Sequence, residues 1–471
     1  MNTPVVDFVR RYAQQRTTRM HMPGHKGRGP LGCEELDITE IAGADELYEA
    51  EGIIAQSEAN ATQLFGTART YYSTEGSSQC IRAMLHLALQ MRPAKAGRPV
   101  LLAARNAHKA LLYAAALLDF DIQWLWPAPD AAGTLCTCPV EPEALTSALD
   151  ELSAEGRTPF GVYLTSPDYL GFVQDVAGLS AVCHAHGLPL LVDNAHGAYL
   201  HFLKEGGRHP IQLGADLCCD SAHKTLPVLT GGAYLHLGTS VQADEAAVRN
   251  ALALFGSTSP SYLILQSLDA ANAVLADGFR EKLDICRWRL GMLCRELDAL
   301  RPGLALPLTG AHREPLKLTL DAAVLGLSGQ QLAQALRERG VECEYADPRY
   351  IVLMPSAESS AAEFACLQTA LHAICGEAPA ADVSVTADDP AAFAALAGAL
   401  EAQPRRFTIR EAVLAPQEMI PAAEAVGRIC AAPAVSCPPA IPIVVSGETV
   451  PPEALPLFAR YGIEKAAVVK E

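Results

Sequence analysis

Short apolar runs alternate with stretches of helical periodicity through the first half of the chain. The runs predict strands at 100–103, 161–164, 188–192, 217–219 and 233–237, and the periodic stretches predict helices at 79–91, 107–118 and 179–186. Strands that are apolar throughout are buried on both faces, so this alternation indicates a mostly parallel sheet with helices on both sides. Ligands of such sheets bind at the carboxyl ends of the strands.

The pattern also divides the chain into three segments. We expect an N-terminal arm over residues 1–60 and a large domain over 61–300, which ends in a long helical pattern at 263–300. A break near Pro302 then introduces a smaller C-terminal α/β domain over 301–471. Three domains are typical of a chain of this length.

The composition narrows the possible partners. Half of the 471 residues are hydrophobic and the formal net charge is −17, which indicates a globular protein without the clustered basic surface that nucleic-acid binding requires. No apolar run is long enough to predict a membrane span, and the arginine-rich first 20 residues lack the apolar core of a secretory signal. We therefore expect a cytoplasmic protein that binds neither nucleic acid nor membrane.

The cysteines do not predict a metal site. Fourteen cysteines are scattered along the chain, and no CxxC pair has a matching partner pair. Buried, reduced thiols are the simpler interpretation, and no metal is expected.

A lysine follows one of the predicted strands closely. Lys224 ends the sequence Asp-Ser-Ala-His-Lys, directly after the apolar run at 217–219. An amine placed among small and hydroxyl residues at a strand end can hold an aldehyde cofactor, pyridoxal phosphate (PLP), as a Schiff base. The alternative is an exposed loop lysine, so the cofactor interpretation needs the rest of a PLP site.

A carboxylate ends another predicted strand about 30 residues earlier. Asp193 follows the run at 188–192 and precedes Asn194, Ala195 and His196. A carboxylate here can pair with the pyridine nitrogen of PLP and keep it protonated, which makes the ring an electron sink. The alternative is an aspartate that caps the next turn. His196 either lines the site or is a structural histidine.

Two further features complete a possible cofactor site. Gly76, Ser77 and Ser78 precede the helix at 79–91, where backbone N–H groups and serine hydroxyls can bind phosphate, although such residues are also ordinary helix caps. His108 follows another strand and either stacks on the pyridine ring or is a surface histidine at a helix start.

These four features occur in the order phosphate turn, stacking histidine, pyridine-nitrogen aspartate and Schiff-base lysine. The joint pattern resembles the ornithine/lysine/arginine decarboxylases of the type I (aspartate-aminotransferase-like) PLP fold. The likeness extends from His21 to about Glu448 and includes Met-Pro-Gly-His-Lys-Gly at 22–27 and Pro-Pro-Ala-Ile-Pro at 438–442. The chain is similar to the short members, which lack an N-terminal wing domain.

The resemblance implies a mostly parallel seven-stranded sheet in the large domain, PLP as the cofactor, and a homodimer or larger homo-oligomer with sites at the interface. It implies that Lys224 forms the Schiff base, that Asp193 contacts the pyridine nitrogen and that His108 stacks on the ring. The other implied cofactor contacts are Gly76, Ser77, Ser78, Ala195, His196, Ser221, His223 and, from a neighbouring subunit, Thr258.

Three positions depart from the family pattern. Glu75 precedes the phosphate turn where asparagine is usual, and a glutamate beside a phosphate is unfavourable unless it points away. Asn194 stands where many members have glutamate, and the stretch at 165–169 differs from the usual Pro-Thr-Tyr form. These departures leave PLP binding in place but leave the substrate open.

The implied reaction is α-decarboxylation of arginine, lysine or ornithine, which gives CO₂ and an amine or diamine. The protonated ring would stabilise the carbanion that remains, and His108 or Lys224 would donate a proton to it. The first alternative is another PLP reaction on the same fold, by an aminotransferase, aldolase or lyase. The second is a non-catalytic PLP-binding protein.

Overall fold

The computed structural model describes residues 1–92, 97–128, 134–378, 390–403, 406–433 and 441–470. The chain divides into two compact units. The first unit comprises Met1–Pro93, Phe160–Val162 and Val176–Asp284, and the second comprises Ala94–Pro159, Tyr163–Asp175 and Ile285–Glu471. The domain boundaries expected at residues 60 and 300 stay a prediction.

The described strands form three sheets. In chain order they are β1 (Arg69–Ser73), β2 (Val100–Ala104), β3 (Asp121–Leu125), β4 (Val162–Thr165), β5 (Leu190–Asp193), β6 (Leu217–Asp220), β7 (Ala233–Leu237), β8 (Leu318–Asp321), β9 (Tyr345–Ala346), β10 (Tyr350–Leu353), β11 (Gln417–Pro421) and β12 (Lys465–Val469). The largest sheet has seven strands in the order β1-β7-β6-β5-β4-β2-β3. Strands β2 and β3 pair in parallel, as do β5 and β6, whereas β7 is antiparallel to β1 and β6. The predicted mostly parallel seven-stranded sheet is confirmed.

The α-helices occur between and after these strands. They are α1 (Pro4–Gln14), α2 (Ile53–Phe65), α3 (Ser77–Met91), α4 (Lys109–Leu118), α5 (Pro142–Ala154), α6 (Val176–Ala185), α7 (Ala222–Thr225), α8 (Glu245–Ala253), α9 (Tyr262–Ala276), α10 (Phe279–Leu300), α11 (Gly329–Arg337), α12 (Ala361–Glu377), α13 (Pro390–Ala402), α14 (Ile409–Leu414) and α15 (Ala454–Arg460). No described helix has both the length and the apolar character needed to cross a membrane.

The long helical pattern at 263–300 corresponds to two helices in the structure. Helix α9 ends at Ala276 and α10 begins at Phe279. Gly278 between them has a φ of 77°, a left-handed conformation that favours glycine and cannot continue a right-handed helix.

The first unit packs its N-terminal helix onto α2 and α9. The backbone N–H groups of Val5 and Val6 both donate to Oδ2 of Asp269 in α9, at 2.9 and 3.0 Å. These are among the first N–H groups of α1, which have no partner within the helix. Helix α3 covers β6 and β7 on the same unit, and this places its first turn at the end of β1.

The second unit contains the smaller sheets. The antiparallel sheet β8-β10-β9 carries α11 against β9 and β10, and β11 pairs with β12. A buried cluster that includes Tyr350, Val444 and Phe458 forms a core of this unit. Residues 438–440 of the proline-rich stretch lie outside the described residues.

Candidate active site

The turn after β6 holds the lysine that the sequence singles out. Asp220 ends β6, and the single-turn helix α7 follows, with the Lys224 N–H donating to the Ser221 carbonyl at 3.0 Å. The Lys224 side chain is half-buried, and its Nζ lies 3.0 Å from Nε2 of His196. This is not the position of a fully solvated loop lysine, which is the alternative that the sequence leaves open.

Asp193 lies at the end of the adjacent parallel strand. It is 3 % exposed, and its Oδ1 accepts the backbone N–H of Ala195 at 3.1 Å and the Cys219 thiol at 3.6 Å. The bond to Ala195 shows that this aspartate does shape the following turn. That turn places His196, which is 5 % exposed, against Lys224. The strand-end carboxylate and the strand-end lysine therefore belong to one local structure.

The phosphate turn begins α3 without a side-chain cap. Gly76 adopts a φ of 73° at the N-cap position, and no side chain caps the helix or places a negative charge in its first turn. The half-buried Ser77 and Ser78 form the start of α3. The N–H groups of a helix start, the positive end of the helix dipole and two hydroxyls make this a suitable anion site.

A second glycine turn connects the phosphate turn with the lysine turn. The Gly76 N–H donates to the Gly231 carbonyl at 2.8 Å, and the His223 N–H donates to the Gly232 carbonyl at 3.2 Å. Ser221 Oγ lies 3.4 Å from Nδ1 of His223. The structure thus brings the predicted phosphate residues of the two turns to one place.

Glu75 is directed to a different loop. Its Oε1 accepts the backbone N–H of Ser257 at 3.0 Å, while its own N–H donates to Ser73 Oγ. The carboxylate is therefore held by a backbone donor of the loop at Ser257. Thr258, next to Ser257, is exposed, and its contact with a neighbouring subunit stays a prediction.

His108 belongs to the second unit. It is half-buried and forms the N-cap of α4, where its Nδ1 accepts the N–H of Ala110 at 3.2 Å. This is the helix-start position that the sequence offered as an alternative. Its stacking on a cofactor ring stays a prediction.

The first unit alone thus provides a half-buried amine, a buried carboxylate, an uncapped helix start and several hydroxyls. These groups fit the aldehyde, pyridine nitrogen and phosphate of PLP. A model of the Orn/Lys/Arg decarboxylase major domain matches residues 3–286. The chain belongs to the Orn/Lys/Arg decarboxylase family. It is accordingly a PLP-dependent amino-acid decarboxylase.

Comparison with individual proteins extends the likeness along most of the chain. An arginine decarboxylase of Bacillus subtilis is 27 % identical over 474 residues, which is 96 % of this chain and 92 % of that protein. The uncharacterized protein YaaO of the same organism is 28 % identical over 477 residues, covering 98 % and 94 %. The structure of the constitutive lysine decarboxylase of E. coli superposes with a TM-score of 0.75 at 20 % identity, covering 99 % of this chain and 80 % of that one.

Sequence reasoning missed a group of buried polar residues beneath the Lys224 turn. Asp220 accepts hydrogen bonds from His209, His236 and Asn194, and all four residues are fully buried. Asp220 precedes Ser221 directly, and a charged residue at the end of an apolar strand could have indicated it. The histidines gave no signal because they lie 11 and 16 residues away along the chain.

Proposed function

We propose that this protein decarboxylates a basic amino acid, with arginine as the first candidate substrate. The observation that carries the proposal is the full-length likeness to arginine decarboxylases at 26–27 % identity. In sequence alignment, the lysine decarboxylases of Escherichia coli and Pseudomonas aeruginosa match only 56 % and 54 % of this chain. The net charge of −17 also favours the approach of a cationic substrate.

The cofactor, when bound, supplies the electron sink that makes loss of CO₂ possible. Lys224 would hold the cofactor covalently through its Nζ. Asp193 would hold a proton on the pyridine nitrogen, because a buried carboxylate next to a basic nitrogen stabilises its charged form. His196 accepts a hydrogen bond from Nζ of Lys224 and would hold that amine in place.

The phosphate residues would fix the orientation of the site. Gly76, Ser77 and Ser78 would bind the phosphate at the start of α3, and Ser221 and His223 would bind it from the lysine turn. With Asp193 at the pyridine nitrogen, these phosphate contacts would hold the cofactor at two separate points and leave it little freedom to rotate. Correct orientation of the breaking bond is required for the reaction. His108 would cover the ring, and Ala195 would pack beside it.

Proton return to the product carbon needs one donor. Lys224 and His108 are the candidates, since both side chains are half-buried and can carry a proton near neutral pH. A variant that lacks the donor should still release CO₂ but should give a larger share of abortive transamination product.

We also propose a homodimer or larger homo-oligomer in which Thr258 reaches the neighbouring subunit's phosphate. Thr258 lies in an exposed loop beside Glu75, which itself precedes the phosphate turn. Thr258→Ala should weaken PLP binding in the oligomer. An equal affinity in the variant and the parent protein would contradict this contact.

Product analysis tests the proposed reaction. The purified protein with PLP is incubated separately with arginine, lysine and ornithine, and the products are identified by mass spectrometry, with Lys224→Ala as the control. Agmatine from arginine, lost in the variant, is the expected result. Keto acid in place of amine would favour an aminotransferase, and no product from any of the three would contradict the proposed substrate class.

A further inference from the structure

Asp220 is the centre of a buried hydrogen-bonded group. Its Oδ2 lies 3.0 Å from Nε2 of His209 and 3.1 Å from Nε2 of His236, and its Oδ1 accepts the side-chain amide of Asn194 at 2.6 Å. We call Asp220, His209, His236 and Asn194 the Asp220 cluster. A carboxylate with no exposed surface is stable only when its oxygens are paired in this way.

The neighbours of both histidines fix where the protons are. The Ile211 backbone N–H donates to Nδ1 of His209, so the ring proton of His209 lies on Nε2 and points at Asp220. The Thr70 hydroxyl lies 2.8 Å from Nδ1 of His236 and can donate to it in the same manner. The pKa of Asp220 is accordingly held below its ordinary value: burial opposes the charge, but the two histidines outweigh it.

Buried histidine, cysteine and aspartate side chains can also bind a metal ion. Ligand atoms of His209, Cys218 and Asp220 lie close enough to one another to hold one. However, the Cys218 thiol donates to Oδ1 of Asp220 at 3.7 Å, and burial followed by the nearby carboxylates raises its pKa well above the ordinary value. Three nitrogen donors already bond the two oxygens of Asp220, so a hydrogen-bonded cluster accounts for these atoms.

The cluster connects the two strands whose ends carry the cofactor residues. Asn194 directly follows Asp193, and Asp220 directly precedes Ser221 and the Lys224 turn. The Asn194 backbone N–H also donates to the Cys219 carbonyl at 2.9 Å. The side-chain bond between Asn194 and Asp220 therefore continues the β5–β6 pairing one step beyond its last pair, Asp193 and Cys219.

The cluster also reaches β7. His236 lies opposite Cys218 in the antiparallel β6–β7 pair. The turn that precedes β7 contains Gly231 and Gly232, whose carbonyls accept the Gly76 and His223 N–H groups. Asp220, at the end of β6, thus contacts His236 in β7 and Asn194 in the turn that follows β5.

We propose that Asp220 is a positioning residue, which sets the spacing between Asp193 and Lys224 and places a fixed negative charge beneath the cofactor site. This inference rests on the proposed PLP chemistry of the site. It does not depend on which amino acid is decarboxylated. Loss of the charge and its hydrogen bonds should disturb cofactor binding and turnover more than substrate binding.

The chain offers a matched control at the other end of the same strand. Asp216 precedes β6 and is 5 % exposed; it accepts the Leu190 N–H at 2.7 Å, a hydrogen bond from His184 at 3.0 Å and the Ser240 hydroxyl. It too joins β6 to β5 with the help of a histidine. It lies at the strand end away from the Lys224 turn, so Asp216→Asn reports on structural loss alone.

The experiment compares Asp220→Asn with Asp216→Asn in the holoprotein. In Asp220→Asn an amide N–H must face either the histidines or Asn194, so at least one hydrogen bond is lost. We expect Asp220→Asn to weaken PLP affinity and lower kcat by about tenfold each, the size typical of coupled neighbours in one network. KM should stay within about twofold of the parent protein's value. In a pH titration of the bound cofactor's absorbance, the midpoint should shift.

The control decides what this loss means. Asp216→Asn should lower Tm but leave PLP affinity and the absorbance midpoint unchanged. If both variants change these two quantities equally, or neither does, the positioning role is overturned. Cofactor affinity and absorbance are measured without substrate. The test of the positioning role therefore gives an answer even if the proposed decarboxylation is not observed.

Two further measurements cover the remaining outcomes. If Asp220→Asn does not fold, Asn194→Leu is used instead. It removes the bond between the two strand ends and leaves both histidine donors to Asp220 in place. We expect a smaller loss of PLP affinity, and an unchanged affinity would overturn the proposal. The metal content of the purified protein is measured in parallel. Stoichiometric zinc whose removal lowers Tm would overturn the hydrogen-bonded cluster.

Discussion

The Nζ atom of Lys224 lies 3.0 Å from Nε2 of His196, although the two residues are 28 positions apart in the chain. The contact joins the turns that follow β5 and β6, the adjacent parallel strands that end at Asp193 and Asp220. A lysine amine that donates to a buried imidazole is held in one direction, whereas an amine without such an acceptor would adopt many directions.

Removing that imidazole should slow the enzyme without preventing cofactor binding. We expect His196→Ala to lower kcat by about 100-fold, because the amine loses the group that orients it for proton transfer. Steady-state kinetics on the proposed substrate measure this. The exposed His186 gives the control, since His186→Ala should leave kcat unchanged. Equal rates for His196→Ala and the parent protein would contradict the role.

The contact between two glycine turns should be sensitive to a single methyl group. Gly231 has a φ of 99°, and a Cβ there would lie 2.9 Å from the Thr74 carbonyl oxygen. Gly231→Ala should therefore displace the Gly76 turn and weaken PLP binding by about tenfold, which corresponds to backbone strain of about 1–3 kcal/mol. Spectrophotometric titration with PLP gives the affinity.

Gly207→Ala controls for backbone conformation alone. Gly207 also has a positive φ, 62°, but a Cβ there meets nothing within 4 Å. We expect this variant to bind PLP as the parent protein does. Equal weakening in both variants would show that the close approach to Thr74 is unimportant.

The sequence predicts the local features of this protein better than its long-range contacts. The strand ends with Asp193 and Lys224 could be predicted, because chemistry-bearing residues directly follow apolar runs. The connection of His209 and His236 to Asp220 could not, because β6 and β7 become neighbours only in the folded sheet. Strand β3 also escaped prediction, since its polar residues Asp121 and Gln123 interrupt the apolar run.

The direction of Glu75 is a similar case. Its sequence position beside the phosphate turn suggests repulsion of an anion, whereas the structure directs its carboxylate to the Ser257 N–H. That partner lies 182 positions away, so no local pattern indicates it. Long-range partners of this kind decide the electrostatics of a site more than local sequence does.

A buried ion pair near β1 should contribute strongly to stability. Nη2 of Arg249 lies 2.9 Å from Oε2 of Glu58, and both side chains are less than a tenth exposed. Arg249→Leu leaves a buried carboxylate without its partner, and we expect a loss of about 3–5 kcal/mol in the free energy of unfolding. Denaturant unfolding measures it.

Two comparisons test the cause of that loss. The double variant Arg249→Leu/Glu58→Leu should regain much of the stability, since no unpaired charge remains. Arg157→Leu removes one partner of the exposed Arg157–Glu155 pair and should cost about 0–1 kcal/mol. Equal losses for Arg157→Leu and Arg249→Leu would contradict the importance of burial.

Acid should destabilise the first unit in part through His201. Burial first, and the neighbouring His209 and His236 second, lower the pKa of His201 from 6.5 to about 4. A histidine whose pKa is depressed by folding stabilises the protein above its unfolded pKa, and this contribution falls as the pH drops from 6.5 towards 4. His201→Gln should therefore show a flatter decline over that range, by up to about 3 kcal/mol.

Unfolding at several pH values measures this difference. Parent protein and variant are compared in the same buffers, so contributions from other groups cancel. Identical pH dependence between pH 6.5 and 4 would show that His201 does not titrate on unfolding.

The covalent attachment of the cofactor tests the account most directly. The holoprotein is reduced with borohydride, digested and examined by peptide mass spectrometry, which locates the lysine that carries the phosphopyridoxyl group. We predict that the added mass lies on the peptide containing Lys224 and that Lys224→Ala carries none. The mass on another lysine, or no covalent cofactor after loading with PLP, would contradict the assignment of this site.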